Sequence, residues 1–201
     1  MLEASQLSFS YNGGKPLFTN MNLTIQLGEV IGLIAPSGSG KTTLAKILSG
    51  HLPAQGGEIR LNRNPIPRRT FHPVQLINQH PEQGFNPRWP LERSLAESFQ
   101  PNESLLAQLG IKTSWLNRYP HELSGGELQR FAIARALNPQ TAFLIADEIT
   151  AMLDAISQAQ IWQVLLSMVE ERKLGMLVIS HNPQLLTHIC TRKVSMHELA
   201  C

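Results

Sequence analysis

The sequence predicts an α/β fold: a mostly parallel sheet flanked by helices, with an antiparallel β part at the N-terminus and an inserted helical subdomain. Three observations predict it. Short continuous apolar runs at 30–34, 143–146 and 176–179 read as strands buried on both faces. Helical apolar patterns alternate with these runs, as β-α-β crossovers require. From Leu91 to Leu137 the pattern turns helical without an intervening strand run, which marks the insertion.

Length and composition suit this reading. A chain of 201 residues fits one domain, 1–201, with enough material for a substantial core. Hydrophobic residues make up 42% and charged residues 16%, the balance of a globular chain. A formal net charge of +2 is too weak to argue for a nucleic-acid partner. No apolar run approaches membrane-spanning length, and residues 1–5 lack the basic flank of a signal peptide, so any membrane role is expected to be peripheral. Cys190 and Cys201 form neither a metal-type pair nor a disulfide framework, as expected of reduced cytosolic thiols.

The elements follow in order. Residues 2–25 alternate apolar and polar around Gly13-Gly14, the pattern of short antiparallel strands joined by a turn. After the run at 30–34 comes a glycine-rich loop, then a helical pattern from Thr42 to Leu48 that stops at Gly50. Ile59 and Leu61, then 74–77, read as further strands. Pro65, Pro67, Pro73, Pro81, Pro87, Pro90 and Pro101 keep regular structure short between Asn64 and Pro101. The helical stretch 91–137 is the subdomain, which leaves 1–90 and 138–201 as the core. Beyond the strand at 143–146, Ile161, Val164, Leu165, Met168 and Val169 form one apolar stripe behind Asp154, a predicted N-cap. A strand at 176–179, a short helix and a last strand complete the chain.

The loop Ala35-Pro36-Ser37-Gly38-Ser39-Gly40-Lys41-Thr42-Thr43 carries the first chemistry. A phosphate chain is compact and anionic. Holding one takes inward-turned backbone N–H groups, no Cβ in the way and a helix N-terminus behind. Gly38 and Gly40 permit the turn, Lys41 reaches the β- and γ-phosphates, and the Thr42 hydroxyl suits Mg²⁺; Ser37, Ser39 and Thr43 complete the set. This is the pattern of a P-loop NTPase that takes ATP with Mg²⁺. Its first glycine is replaced by Ala35, which fits if that residue keeps φ below zero.

Asp147 and Glu148 end the strand at 143–146, where ligands bind in an open α/β sheet. Asp147 suits Mg²⁺ and Glu148 suits polarising an attacking water, although two adjacent acids are equally at home in a solvated turn. Leu123-Ser124-Gly125-Gly126-Glu127-Leu128-Gln129-Arg130 holds a second device. Ser124 and Glu127 have capping-box spacing, and Gly125 and Gly126 let an anion approach the freed N–H groups. A merely well-capped helix would read the same way. A second phosphate site makes sense where it completes the nucleotide site of a partner subunit.

The stretch 123–130 resembles the signature motif of ABC-type ATPases, and the resemblance covers nearly the whole chain with its motifs in order. It implies roles for further residues. Tyr11 would stack on adenine, an exposed strand tyrosine being the alternative. Gln79 would touch Mg²⁺ and the attacking water. Residues 151–154 would form the D-loop that crosses a dimer interface, and His181 would contact the γ-phosphate. The other histidines show no ligand spacing. Gln83 to Leu91 resemble the corresponding segment of peptide and nickel importer ATPases, and Ile149 stands where most relatives carry proline, a variant similar to one in metal-chelate members of that group. Little follows the last strand at 194–196, so sites carried on that subfamily's C-terminal extension are not transferred here.

The resemblance therefore implies an ATP-hydrolysing subunit at the cytoplasmic face of a membrane. It would energise a permease, as an importer of peptides, nickel or metal chelates. Its partners would be a second ATPase subunit, identical or a paralogue, the permease subunits and a solute-binding protein. A non-transport ABC ATPase of DNA-repair or translation type, a P-loop small-molecule kinase and a cassette that binds without hydrolysis stand as alternatives.

Overall fold

The computed structural model describes residues 1–66 and 71–200, so Pro67 and Cys201 lie outside the described residues. β1 (Leu2–Phe9) and β2 (Phe18–Ile25) pair antiparallel, from Leu2 opposite Ile25 to Phe9 opposite Phe18. β3 (Val30–Ile34) leads through the glycine-rich loop into α1 (Lys41–Leu48). Gly40 caps that helix at φ 96°, and a Cβ there would lie 2.8 Å from Leu17 Cγ. Glycine is needed for both conformation and space. β4 (Gly56–Leu61) pairs with the other edge of β1, and β5 (Asn64–Pro65) adds a short rim, giving the order β2-β1-β4-β5.

β6 (Val74–Ile77) is followed by a 3-10 turn at Pro81–Gly84, α2 (Leu91–Ala96) and α3 (Glu103–Gln108). Two further 3-10 turns, Thr113–Trp115 and Pro120–Glu122, precede α4 (Gly125–Ala136). The stretch read as helical is thus broken into short pieces. Gly110 takes φ 68° after α3, and Pro120 opens a new turn, where its missing N–H has no partner to lose. β7 (Phe143–Asp147), α5 (Ala155–Arg172), β8 (Gly175–Ile179), α6 (Pro183–Ile189), β9 (Arg192–Ser195) and α7 (Met196–Leu199) finish the described chain. Asp154 caps α5 by accepting from the N–H groups of Ile156 and Ser157.

The second sheet runs β6-β7-β8-β3-β9 with every pair parallel. Its central strands are buried on both faces, and period two sorts their side chains between two cores. Leu144, Ala146, Met176 and Val178 pack with Leu91, Phe131, Leu165 and Leu186 from the helical side. Phe143, Ile145, Leu177 and Ile179 pack with Leu7, Met21, Leu44 and Leu199 from the hairpin, α1 and α7. Among the described residues no helix is long and apolar enough to cross a membrane.

Candidate active site

Strand register assembles the site. Leu33 lies beside Ile179, Ile179 beside Asp147, and Ala146 beside Ile77. Four parallel strands therefore end at one level, and the loops leaving them open on one edge of the sheet, where such folds bind ligands. These loops enclose a cavity of about 300 Å³. Tyr11, Ser37, Gly38, Gly40, Lys41, Thr42 and Thr43 line one side, and Gln79, Asp147, Glu148 and His181 the other.

Within the loop, Gly38 takes φ 78° while Ala35 is not among the positive-φ residues, so alanine sits there without strain. Lys41 Nζ donates to the carbonyls of Ala35 at 2.8 Å and Pro36 at 2.9 Å. Thr42 Oγ1 donates to Asp147 Oδ2 at 2.8 Å. Tyr11 is 56% exposed, meets Phe9 edge-on at 4.9 Å and holds Thr43 Oγ1 at 2.9 Å. Ser39 does not line the cavity, and its hydroxyl is buried without a hydrogen-bond partner. Leu17 does line it, a position that sequence reasoning passed over. Its only signal was an apolar residue ahead of β2, and its place follows from packing against Gly40.

The two acids differ in setting. Burial pushes the Asp147 carboxyl above its ordinary range, opposed by the Thr42 hydroxyl and the Lys41 charge. Burial also raises Glu148, opposed first by His181 and seconded by the charge of Asp147. The Glu148 N–H extends the ladder to Ile179 O at 3.0 Å, and the residue then turns at φ 52°. That left-handed backbone is costly for a side-chain-bearing residue and aims the carboxylate inward. Glu148 Oε1 is buried with no hydrogen-bond partner among the described residues, and His181 Nε2 stands 3.6 Å away.

A second cavity of about 590 Å³ shares no lining residue with the first. Ser124, Gly125, Gly126 and Glu127 line it, at the start of α4. The Ser124 hydroxyl accepts from the Glu127 N–H at 3.3 Å, and Glu127 Oε2 accepts from the Ser124 N–H at 2.8 Å. That backbone N–H is the chief reason the Glu127 carboxyl is held below its usual range. Residues 151–154 pack beside the glycines: a Cβ at Gly125 would lie 3.4 Å from Met152 Sδ, and one at Gly126 would lie 2.8 Å from Leu153 Cδ2. Within one chain, then, the Ser124 group and the Lys41 group occupy separate cavities.

Fold and cavity together define a nucleotide-binding domain of the P-loop class. A family model described as ABC transporter matches residues 18–151. The chain is 37% identical over 190 residues to the "Probable D,D-dipeptide transport ATP-binding protein DdpF" of Escherichia coli (strain K12), covering 88% of this chain but only 59% of that protein's length. It is 33% identical over 211 residues to the "Nickel import system ATP-binding protein NikE" of Staphylococcus aureus (strain bovine RF122 / ET3-1), covering 98% of this chain and 87% of that one. Among solved structures, the dimeric ATP-binding cassette MJ0796 bound to ADP and Pi has the same fold, with TM-score 0.82 over 97% of this chain and 94% of that chain at 23% identity. So has cbiO1 from Clostridium perfringens, with TM-score 0.77 over 96% and 83% at 24% identity. The chain belongs to the ABC transporter family, as an ATP-binding subunit.

Proposed function

We propose that the chain hydrolyses ATP as one half of a cassette pair and thereby drives a membrane permease. The observation that carries this is the division of labour between its two cavities. One combines Lys41, Thr42, Asp147 and Glu148, and the other offers a capped, glycine-lined helix N-terminus whose charged residues, Lys112, Glu127, Arg130 and Asp154, include no counterpart of the paired acids 147–148. Each is half of a triphosphate site, and a head-to-tail pair completes both. In this reading, 1–90 and 138–201 form the nucleotide-binding core and 91–137 the helical subdomain.

The roles follow from chemistry. Lys41 exchanges its two carbonyl partners for β- and γ-phosphate oxygens, a stronger charge-assisted pairing. Thr42 and Asp147 already meet at 2.8 Å and offer the hard oxygen donors that suit Mg²⁺, with Gln79 reaching in from beyond β6. An Mg²⁺ ion held by these residues would supply neutralisation of phosphate charge. Glu148 polarises the attacking water with an oxygen that accepts no hydrogen bond among the described residues, and His181 contacts the γ-phosphate. Tyr11 offers adenine an exposed ring face, and Ser37, Gly38, Gly40 and Thr43 wrap the phosphates. From the partner come Ser124, Gly125, Gly126 and Glu127.

The relatives' names, dipeptide transport and nickel import, support peptide or nickel as cargo; a metal chelate as cargo, a solute-binding protein and a place at the cytoplasmic face belong to the same proposal. A groove of about 320 Å³ between the segment after β6 and α4, walled by Asn78, Pro81, Phe85, Ala132 and Arg135, would seat the permease's cytoplasmic helix. Phosphate release from Mg-ATP by the purified chain tests the core of this. Lys41→Ala is expected to lose nucleotide binding, and Glu148→Gln to keep ATP while losing turnover. Wild-type turnover by Glu148→Gln would remove Glu148 from its role.

A further inference from the structure

We propose that Arg130 is a positioning residue that clamps the signature helix α4 to the first turns of α5, so that the Ser124 turn and residues 151–154 meet a partner's nucleotide as one body. This rests on the paired-cassette reading above.

The contacts are specific. Arg130 lies on α4, about one turn beyond Gly126 at 3.6 residues per turn. One guanidinium nitrogen donates to Leu109 O at 2.6 Å and to Gln160 Oε1 at 3.1 Å, and the other donates to Ser157 Oγ at 2.9 Å. Gln160 Nε2 in turn donates to Gln108 O at 2.9 Å. The end of α3, the signature helix and the start of α5 thus meet on one planar fork. Gly110 leaves room for it: a Cβ there would lie 2.7 Å from the same guanidinium nitrogen.

The circuit closes at the glycines. Ser157 is also one of the two residues whose N–H groups Asp154 accepts, and Asp154 ends the segment whose Met152 and Leu153 pack beside Gly125 and Gly126. From the Ser124 turn through Met152, Leu153, Asp154 and Ser157, Arg130 leads back to the helix that Ser124 caps. A shift of the anion-binding turn therefore carries residues 151–154 with it. A rigid, forked donor spans these three acceptors, one at the end of α3 and two on α5, which a lysine ammonium on a flexible stem does poorly.

The test uses the full chain carrying Glu148→Gln, with and without Arg130→Met, and Arg130→Lys as the conservative variant. Amide exchange is followed at 125–127 and 155–158, nucleotide affinity on the isolated chain with a fluorescent ATP analogue, and ATP-dependent pairing by sedimentation. Arg130→Met is expected to speed exchange at both segments while α1 is unchanged. It should also weaken pairing about tenfold, with single-chain nucleotide affinity preserved and Arg130→Lys in between. Normal pairing by Arg130→Met overturns this inference alone. So does a matching loss of nucleotide affinity, which would make Arg130 a general stabiliser. Failure of the Glu148→Gln parent itself to pair overturns the paired-cassette reading and this inference with it.

Discussion

Asp147 and Glu148 show how two neighbouring carboxyls acquire different work. Asp147 is 4% exposed and shares its oxygen with Thr42, so in the free protein it is an acid held in an unfavourable place. Its raised pKa means the folded chain holds that proton more tightly than the unfolded chain does. This contribution to stability falls as pH rises from 3.8 through the raised value, and the charged form remains penalised at neutral pH. Asp147→Asn is therefore expected to stabilise the nucleotide-free protein at pH 7 by about 0.5–2 kcal/mol while abolishing Mg-ATP hydrolysis; thermal melts and phosphate release check the two halves. Glu148 must be ionised to polarise water. Since burial raises it above 4.5, the acid limb of kcat should sit above the range of an ordinary glutamate. A pH–rate profile whose limb falls at or below that value would separate Glu148 from the titrating step.

At the scale of elements, parallel register and close packing hold the site together. β7 and β8 approach so tightly that a Cβ on Gly175 would lie 2.3 Å from Phe143 Cε1 and 2.7 Å from Gln26 O. Neither the ring nor the backbone can give way cheaply, so Gly175→Ala should cost about 3 kcal/mol, read as a lower urea midpoint at unchanged m. Gly126 differs, because its neighbour is the mobile end of Leu153. Gly126→Ala should fold normally yet lose turnover about a hundredfold, since a methyl group then stands where a phosphate must approach; circular dichroism together with kcat separates folding from function. α4 also reaches the segment after β6, through Gln129 Nε2 to Asn78 O at 3.3 Å and Arg135 to Gly84 O. The helix that Ser124 caps is thereby tied to the Gln79 loop and to the groove proposed as the permease seat.

The proposed pairing gives the whole molecule two half-sites, and that makes a strong prediction. Chains with Lys41→Ala and chains with Gly126→Asp should each be inactive alone, because every composite site is broken. Mixed, they form a pair in which one site takes Lys41 from one chain and Gly126 from the other, so part of the wild-type phosphate release should return. Two inactive proteins that stay inactive when mixed, despite pairing, would refute the shared site. Much of this was legible from residues alone. The loop at 35–43, the acids at 147–148 and the capping box at 124–127 are short-range devices, in which conformation, charge and spacing sit within a few residues. Continuous apolar runs marked the parallel strands because both of their faces are covered. Tertiary structure alone decided what depends on strands far apart in sequence: that β7 and β8 lie between β6 and β3, that Leu17 lines the cavity around Lys41, that one Glu148 oxygen is buried near His181, and that Arg130 joins three elements. The sequence by itself determines local backbone and chemistry, because those depend on neighbours along the chain. Burial, register and which half-sites share a face depend on neighbours through space, and only the folded chain supplies them.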